Sequence, residues 1–504
     1  MRIMAELARC QDNQMVWFLV PTKILCSQQL EYLSQYMPAV SMRMLTGDDE
    51  VDCWSNQDLW DTALRSMKVV FSTHAVLADA LTHGFVSLRR LALIVFDEAH
   101  HCMKSHPGNR IMRDFYHVAK RENVTLPSIL GLTASVDVAK ISELERNLDA
   151  TCRAPLVQRQ ELMRYVPQRG LTEILYTQGY HGTMIPPSYL DTLEETVTKL
   201  CEHSKSEGYS IPGELLKVPT RARVIWYQLG AWALRHFLTK SLQGFAQYIA
   251  DDIKTSSSRS CNKRLLALRT VLNSIVESPG IYLQSPGSIS NKAERLLSFL
   301  KERSHPDFSG VIFVRERVTA YVLSALLDAH PWTRNAFRCA PCVSNAARSE
   351  SWAQYDAMSV ERNEDVVPQF RRSLKNLLIA TSVLEEGIDL PACHLVISYD
   401  SPENIISFMQ RQGRARKDVS DFVVMRSKDD ESISASLKQF SALGTQMQDM
   451  CLDHQRSNPV LEMDDEQLEN VDLQLRLHTG FASSLPKMIA SVVADTRKLF
   501  AVRY

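Results

Sequence analysis

A chain of 504 residues is too long for a single hydrophobic core and suits two or three domains. Its 45% apolar and 23% charged residues are the balance of a soluble, folded protein, which excludes a disordered or fibrous one. A formal charge of -1 excludes a globally basic nucleic-acid binder but leaves room for a cleft lined locally by Arg and Lys, because the field depends on placement as well as on the sum.

Eleven cysteines, an odd and scattered set, read as reduced thiols, so the expected compartment is the cytoplasm, with the nucleus as the alternative. Cys339 and Cys342 have metal-ligand spacing, but no second pair stands near them and they read as plain loop cysteines. No apolar run approaches bilayer-spanning length. The opening MRIMAELARC lacks the apolar core of a signal peptide and reads as the middle of an amphipathic helix.

In chain order, VWFLV (Val16–Val20) predicts a buried strand and Gln28–Tyr36 a helix. Strand Val69–Ser72, helix His74–Leu81 and strands Leu91–Phe96 and Ser128–Leu132 follow. Continuous apolar runs separated by helices predict a parallel sheet covered on both faces. From Pro155 to Glu277 the pattern turns helical. Leu190, Leu193, Val197 and Leu200 form one stripe. Leu234, Leu238, Leu242, Phe245 and Ile249 form a second, and Leu265, Leu268, Leu272 and Ile275 a third. Beyond the Pro/Gly/Ser stretch Ser278–Ser290, strands are expected at Gly310–Val314, Leu377–Thr381, His394–Tyr399 and Asp421–Met425. Ile433, Leu437, Phe440, Met447 and Cys451 mark one more amphipathic helix, and the tail after His454 carries no readable pattern. The expected division is an α/β lobe over 1–154, an all-helical insert over 155–284, a second α/β lobe over 285–426 and a helical extension with a tail over 427–504.

In parallel α/β sheets, ligands bind beyond the carboxyl ends of the strands. Asp97-Glu98-Ala99-His100 directly follows the strand Leu91–Phe96. An aspartate there can hold the magnesium of a nucleotide through water, and the adjacent glutamate can orient and deprotonate an attacking water. His100 would link that site to neighbouring loops. Four residues alone suit a helix-capping acidic turn equally well, and the spacing of what surrounds them decides. Thr133-Ala134-Ser135 follows the next strand, Pro21-Thr22 ends an earlier one and Ser72-Thr73 another. Such hydroxyls and backbone amides suit nucleic-acid phosphates, although singly each threonine reads as a helix cap. In the second α/β block a glutamine, a glycine and three arginines crowd into Gln410–Arg416.

Together these segments resemble the superfamily 2 helicases. DEAH and TAS resemble motifs II and III, VPTKILCSQQ motif Ia and STHAVLADALTHGFVSL the next strand-contacting motif. ATSVLEEGIDLPACHLVISYD (Ala380–Asp400) and SFMQRQGRAR (Ser407–Arg416) resemble motifs V and VI. The resemblance implies two RecA-like parallel-sheet lobes with a helical insert between them, binding ATP, Mg2+ and nucleic acid in the cleft. It implies catalytic roles for Asp97, Glu98, His100, Gln410, Arg414 and Arg416, with the arginines facing the γ-phosphate, and nucleotide contacts for Gly387, Asp389 and Arg411. It further implies coupling roles for Thr133 and Ser135 and RNA contacts for Pro21, Thr22, Thr73 and Thr381.

The insert, the spelling GRAR and the run DEAHHC…HPGNRIMRDFYH (Asp97–His117) resemble most closely the helicase region of fungal Dicer-like proteins, over about residues 1–452. That implies an RNA-dependent ATPase module of RNA silencing that grips double-stranded RNA, with an RNA-binding protein as a partner on the insert. In that group the helix after motif VI belongs to a V-shaped clamp. The chain departs from the family in one respect: no G-x-x-x-x-G-K-[ST] occurs in it. That loop supplies the amides and lysine that cradle the β and γ phosphates. The first sheet is therefore expected to lack a central strand, and the chain as written to hydrolyse ATP poorly or not at all, whether through a shortened record or a true loss of ATP binding. No ribonuclease III acidic motif is present, so RNA cleavage by this polypeptide alone is not expected. Two rival readings stay open: an ATPase-inactive RNA clamp or protein-docking scaffold, and a DNA-branch translocase suggested by the DEAH spelling and the insert.

Overall fold

The computed structural model describes residues 2–9, 13–47, 54–133, 138–153, 171–177, 187–206, 213–255, 288–343, 363–385, 388, 390–417, 419–442, 453 and 498–502. The first unit begins with α1 (Arg2–Arg9), β1 (Met15–Val20), α2 (Lys23–Tyr36), β2 (Met42–Leu45), α3 (Gln57–Leu64), β3 (Val69–Thr73), α4 (His74–Thr82) and β4 (Leu91–Asp97). It continues through α5 (Pro107–Arg110), a π-helical turn (Ile111–Tyr116), α6 (His117–Arg121), β5 (Ser128–Thr133), α7 (Ile141–Leu148) and β6 (Thr151–Arg153).

The strands run parallel because each is apolar on both faces and must be roofed twice, which only helical crossovers achieve. Trp17, Leu19, Val70, Ile94 and Phe96 join one core cluster with Trp60 of α3, Leu77 of α4 and Leu144 of α7. Their neighbours Val16, Phe18, Val20, Phe71 and Val95 join the other, under Ile3 of α1 and Leu25 of α2. In register Phe18 lies beside Phe71 and Val95.

The expected strands appear where the apolar runs placed them, with ends that differ by a residue or two. Helix α2 starts earlier than its stripe suggested, at Lys23, because Thr22 accepts a hydrogen bond from the Leu25 amide and caps it there.

Five strands were not expected, the short β2 and β6, a Cys339–Cys342 strand of the second sheet, and two more distant additions. β7 (Leu171–Tyr176) lies in the stretch assigned to the helical insert, yet it pairs in parallel with β12 (Asp421–Ser427) at the edge of the second sheet. β13 (Lys498–Val502) comes from the tail that carried no readable pattern. It pairs in parallel with both β5 and β6, giving the seven-stranded order β2-β3-β1-β4-β5-β13-β6. This distant segment stands second from the sheet's edge, and the central positions are held by β1, β4 and β5.

Between β7 and the second lobe along the chain come α8 (Pro187–Ser206), α9 (Gly213–Leu229) and α10 (Ala231–Thr255), with Leu190, Leu193, Val197, Leu234 and Leu238 buried as their stripes required. The third stripe, Leu265 to Ile275, falls outside the described residues. The second lobe comprises α11 (Asn291–Lys301), β8 (Gly310–Phe313), α12 (Arg317–Ala329), β9 (Cys339–Cys342), α13 (Asn363–Arg371), β10 (Leu377–Ala380), β11 (Leu395–Ser398), α14 (Ile405–Gln412) and β12. Its six-stranded parallel sheet is ordered β7-β12-β11-β8-β10-β9. Cys339 and Cys342 are therefore buried strand residues and not loop cysteines, and burial pushes the Cys342 thiol up to about 12. A helix over 431–442 carries Ile433, Leu437 and Phe440 against the second lobe, while Met447 and Cys451 lie outside the described residues. Among the described residues no helix is long and apolar enough to cross a membrane.

The insert and the second lobe share one hydrophobic core: Ile225 and Trp226 of α9 and Phe237 of α10 cluster with Leu296 of α11 and Leu323 of α12. Gly230, between α9 and α10, makes this possible. It has φ +96°, and a Cβ there would lie 2.5 Å from the Ser290 nitrogen, where Ser290 N–H donates to the Leu229 carbonyl at 3.0 Å. Gly230→Ala is expected to destabilise this junction by about 1–3 kcal/mol through backbone strain and displacement. Faster amide exchange at Leu229–Trp232 and Ser290, with the first lobe unchanged, is the check.

Candidate functional site

The carboxyl ends of β1, β3, β4 and β5 gather the first lobe's chemistry. Asp97 closes β4 and is buried; its Oδ1 accepts from the Glu98 amide at 3.2 Å, and its Oδ2 from Gln29 Nε2 of α2 at 3.1 Å. Glu98 adopts left-handed backbone angles, φ 50° and ψ 49°, a conformation costing a non-glycine residue on the order of 1–2 kcal/mol. The turn brings Glu98 Oε2 to 3.5 Å from His100 Nδ1. That same nitrogen lies 2.8 Å from Thr133 Oγ1 at the end of β5, so the acidic turn and the hydroxyl triplet are physically joined. Ser135 falls outside the described residues.

The threonines of this lobe expected to contact RNA stand at helix N-termini. Thr22 caps α2, with Pro21 before it, and Thr73 precedes α4 without a side-chain capping bond. In register Val20 is the partner of Thr73, so the two helix N-termini open side by side. In the second lobe Thr381 follows β10, with its buried Oγ1 lacking a hydrogen-bond partner. Gly387 and Asp389 fall outside the described residues.

The arginines of α14 and the turn after it divide by burial. Arg411 is buried, its guanidinium 2.7 Å from Glu385 Oε1 and donating to Ser398 Oγ at 3.2 Å and to the Asp400 carbonyl at 2.8 Å. The donors of Arg411 hold the second lobe's own loops. Arg414 is also buried and donates to the carbonyls of Ile388 at 2.6 Å and Glu385 at 2.9 Å, clamping the loop that contains Gly387. Arg416 is exposed, with Nε donating to the Gly413 carbonyl at 2.7 Å, and Gln410 is half-buried on α14.

Several residues that sequence reasoning passed over complete the arrangement. Gln29 steadies Asp97. Glu385 receives Arg411 and also accepts from Ser407 Oγ at 2.8 Å. Lys292 of α11 is buried, 2.9 Å from Asp400 Oδ1 and 4.0 Å from the Tyr399 ring centroid, and it donates to Gln228 Oε1 of α9 at 2.5 Å. Burial lowers the Lys292 pKa, partly offset by Asp400. Burial alone would raise Asp400, but Lys292 and the Arg315 amide outweigh it and hold the carboxyl below its ordinary range. Nothing in the spacing of these residues marked them, because each is defined by a partner distant in sequence.

Asp97 and Glu98 offer two carboxylates at one strand end, the hard oxygen donors a hydrated magnesium takes. Two carboxylates alone fit a magnesium that keeps water and phosphate among its ligands.

Paired parallel sheets, an acidic turn hydrogen-bonded to a neighbouring strand's threonine, and an arginine-bearing helix clamped to its loop define the class: two lobes of RecA type. Residues 1–144 match the family model for the DEAD/DEAH box helicase, and residues 291–418 the helicase conserved C-terminal domain. The chain belongs to the superfamily 2 DExD/H-box helicases, as a helicase region of the fungal Dicer-like type. It is 39% identical over 473 residues to Dicer-like protein 2 of Neosartorya fischeri, covering 86% of this chain and 34% of that protein. It is 37% identical over 466 residues to Dicer-like protein 2-1 of Aspergillus niger, covering 86% and 34%. With Dicer-like protein 2 of Aspergillus oryzae it shares 34% identity over 528 residues, covering 97% of this chain and 38% of the relative. The chain spans about a third of the length of these curated relatives.

Proposed function

We propose that this chain grips double-stranded RNA as the helicase module of an RNA-silencing protein, acting in the cytoplasm. The observation that carries the reading is the pair of adjoining helix N-termini at Thr22 and Thr73, in register through Val20 and Thr73. Backbone N–H groups at two adjoining helix N-termini, with threonines beside them, suit consecutive phosphates of one strand. In the second lobe, Thr381 keeps a buried hydroxyl with no hydrogen-bond partner among the described residues. Such contacts read backbone shape and 2′-hydroxyls, with little sequence preference.

Asp97, through water, and Glu98 would hold the magnesium of ATP, which polarises the transferring phosphate when bound. His100 would hold Glu98 in place, Arg416 would offer the exposed cation of the motif VI segment and Gln410 would orient a water or phosphate oxygen beside it. A second reading, an RNA clamp without turnover, is favoured by one observation: no G-x-x-x-x-G-K-[ST] lies within these residues. Calorimetry separates the two, since tight magnesium-dependent ATP binding rejects the clamp.

Titration of fluorescent duplex RNA, single-stranded RNA and forked DNA tests the main reading. Duplex RNA is expected to bind tightest, its log affinity falling by about 0.7–0.9 per phosphate contact for each tenfold rise in salt. Preference for the fork overturns the RNA assignment in favour of a DNA-branch translocase.

A further inference from the structure

Four histidines in the first lobe, of which only His100 has been used so far, form a continuous file. His74 opens α4, one residue beyond Thr73; its ring is buried, bonds the backbone of Val20 and leaves Nε2 without a partner. It is wedged between the two RNA-facing turns, since Val20 precedes Pro21-Thr22. Burial, and after it the neighbouring His106 and His101, lower its pKa to about 3, so the ring is neutral. On its other side it stacks on Phe96 of β4, with centroids 6.0 Å apart, and meets His106 edge-on at 4.8 Å.

His106 caps α5, its Nδ1 accepting from the Gly108 amide at 3.1 Å, and it stacks on His101 at 5.6 Å. His101 lies 4.2 Å from His100, whose Nδ1 is the atom 2.8 Å from Thr133 Oγ1. There is no slack beside the file: a Cβ at Gly108 would lie 2.8 Å from Cys102 Sγ and 3.0 Å from His74 Cδ2. Rings packed this closely pass on a displacement because no void absorbs it.

We propose that the file His74–His106–His101–His100 is a positioning element that transmits nucleic-acid contact at the turns after β1 and β3 to the Asp97–His100 turn and Thr133. It rests on the RNA reading above, because the input is phosphate contact at Thr22 and Thr73. None of His74, His101 and His106 touches the RNA or the reacting atoms. They fix where His100 stands, and through it Glu98 and Thr133. A merely structural cluster would stabilise the lobe without making the acidic turn respond to RNA.

The test is hydrogen exchange of the whole chain with and without duplex RNA. In the parent protein, RNA is expected to slow exchange at residues 21–25 and 73–77 and also at 97–103 and 128–133. His106→Asn keeps a helix-capping acceptor but removes the ring. In it, slowing at 21–25 and 73–77 persists, whereas the RNA-induced change at 97–103 falls about threefold or more. His101→Phe, which keeps a flat ring in the file, retains the response, and His101→Ala, which serves if His106→Asn does not fold, loses it. Unaltered transfer in both His106→Asn and His101→Ala overturns the proposal. So does slowing in the parent at 21–25 and 73–77 with none at 97–103, which leaves the RNA reading standing. No slowing at 21–25 and 73–77 in the parent removes the RNA reading itself and this inference with it.

Discussion

Arg411→Ala is expected to lower the local stability of the second lobe by about 3–5 kcal/mol, because it leaves the Glu385 carboxylate buried without its partner. The pair is almost wholly shielded from water, with Arg411 and Glu385 each 6% exposed and 2.7 Å apart, so solvent screening offers little relief. Loss of the guanidinium also orphans Ser398 Oγ and the Asp400 carbonyl. The measurement is denaturant-dependent hydrogen exchange in β10 and β11, which resolves one lobe of a multidomain chain where a single melting curve cannot. Removing both charges together, as Glu385→Leu with Arg411→Met, is expected to recover most of the loss, since an apolar pair of similar volume has no desolvation cost to offset. A loss below about 1 kcal/mol for Arg411→Ala would place the pair among ordinary surface contacts and contradict the buried geometry.

Lys292→Met is expected to cost a similar amount, roughly 3–5 kcal/mol, and to loosen the insert together with the second lobe. Lys292 joins Asp400 at the end of β11 to Gln228 of α9, and the Tyr399 hydroxyl donates to the Gln228 carbonyl at 2.6 Å, so three elements meet on one ammonium. The effect has a definite pH dependence. The Asp400 pKa is depressed in the folded state, so its contribution is fully present above the unfolded carboxylate value, about 4, and is lost as pH falls through the lower folded value. The parent should lose stability in this acid window, whereas in Lys292→Met the unpaired Asp400 gains by protonation. The difference between the two proteins therefore shrinks on acidification. A difference that stays constant from neutral pH down through that window would remove Asp400 from the account.

The motor architecture was legible because its interior strands are buried on both faces. VWFLV, LALIVF and LLIA have no polar alternation to confuse with a helix, and the acidic turn follows its strand directly. β7 was not legible for the opposite reason. LTEILY is a half-buried edge strand whose Glu173 pairs with Arg426 of β12, and it sits in a stretch dominated by helical stripes. The site divides in the same way. Asp97, His100 and Thr133 are neighbours because adjacent parallel strands put their ends together, which order along the chain conveys. Whether Arg411, Arg414 or Arg416 faces solvent depends on the carbonyls and carboxylate of the 385–388 loop, and spacing alone carries none of that. The histidine file was equally hidden, since its four rings come from two turns and a helix start that only the folded sheet brings together.

The position of β13 has a consequence for how such a chain is made. Residues 15–153 are translated well before residues 498–502, yet the sheet they build keeps a seam between β5 and β6 for that later segment. The second sheet, whose strands all lie between residues 171 and 427, can zip shut first. Until residues 498–502 emerge, a nascent chain carries two bare strand edges, the kind of surface that recruits chaperones or pairs wrongly with a neighbour on the same message.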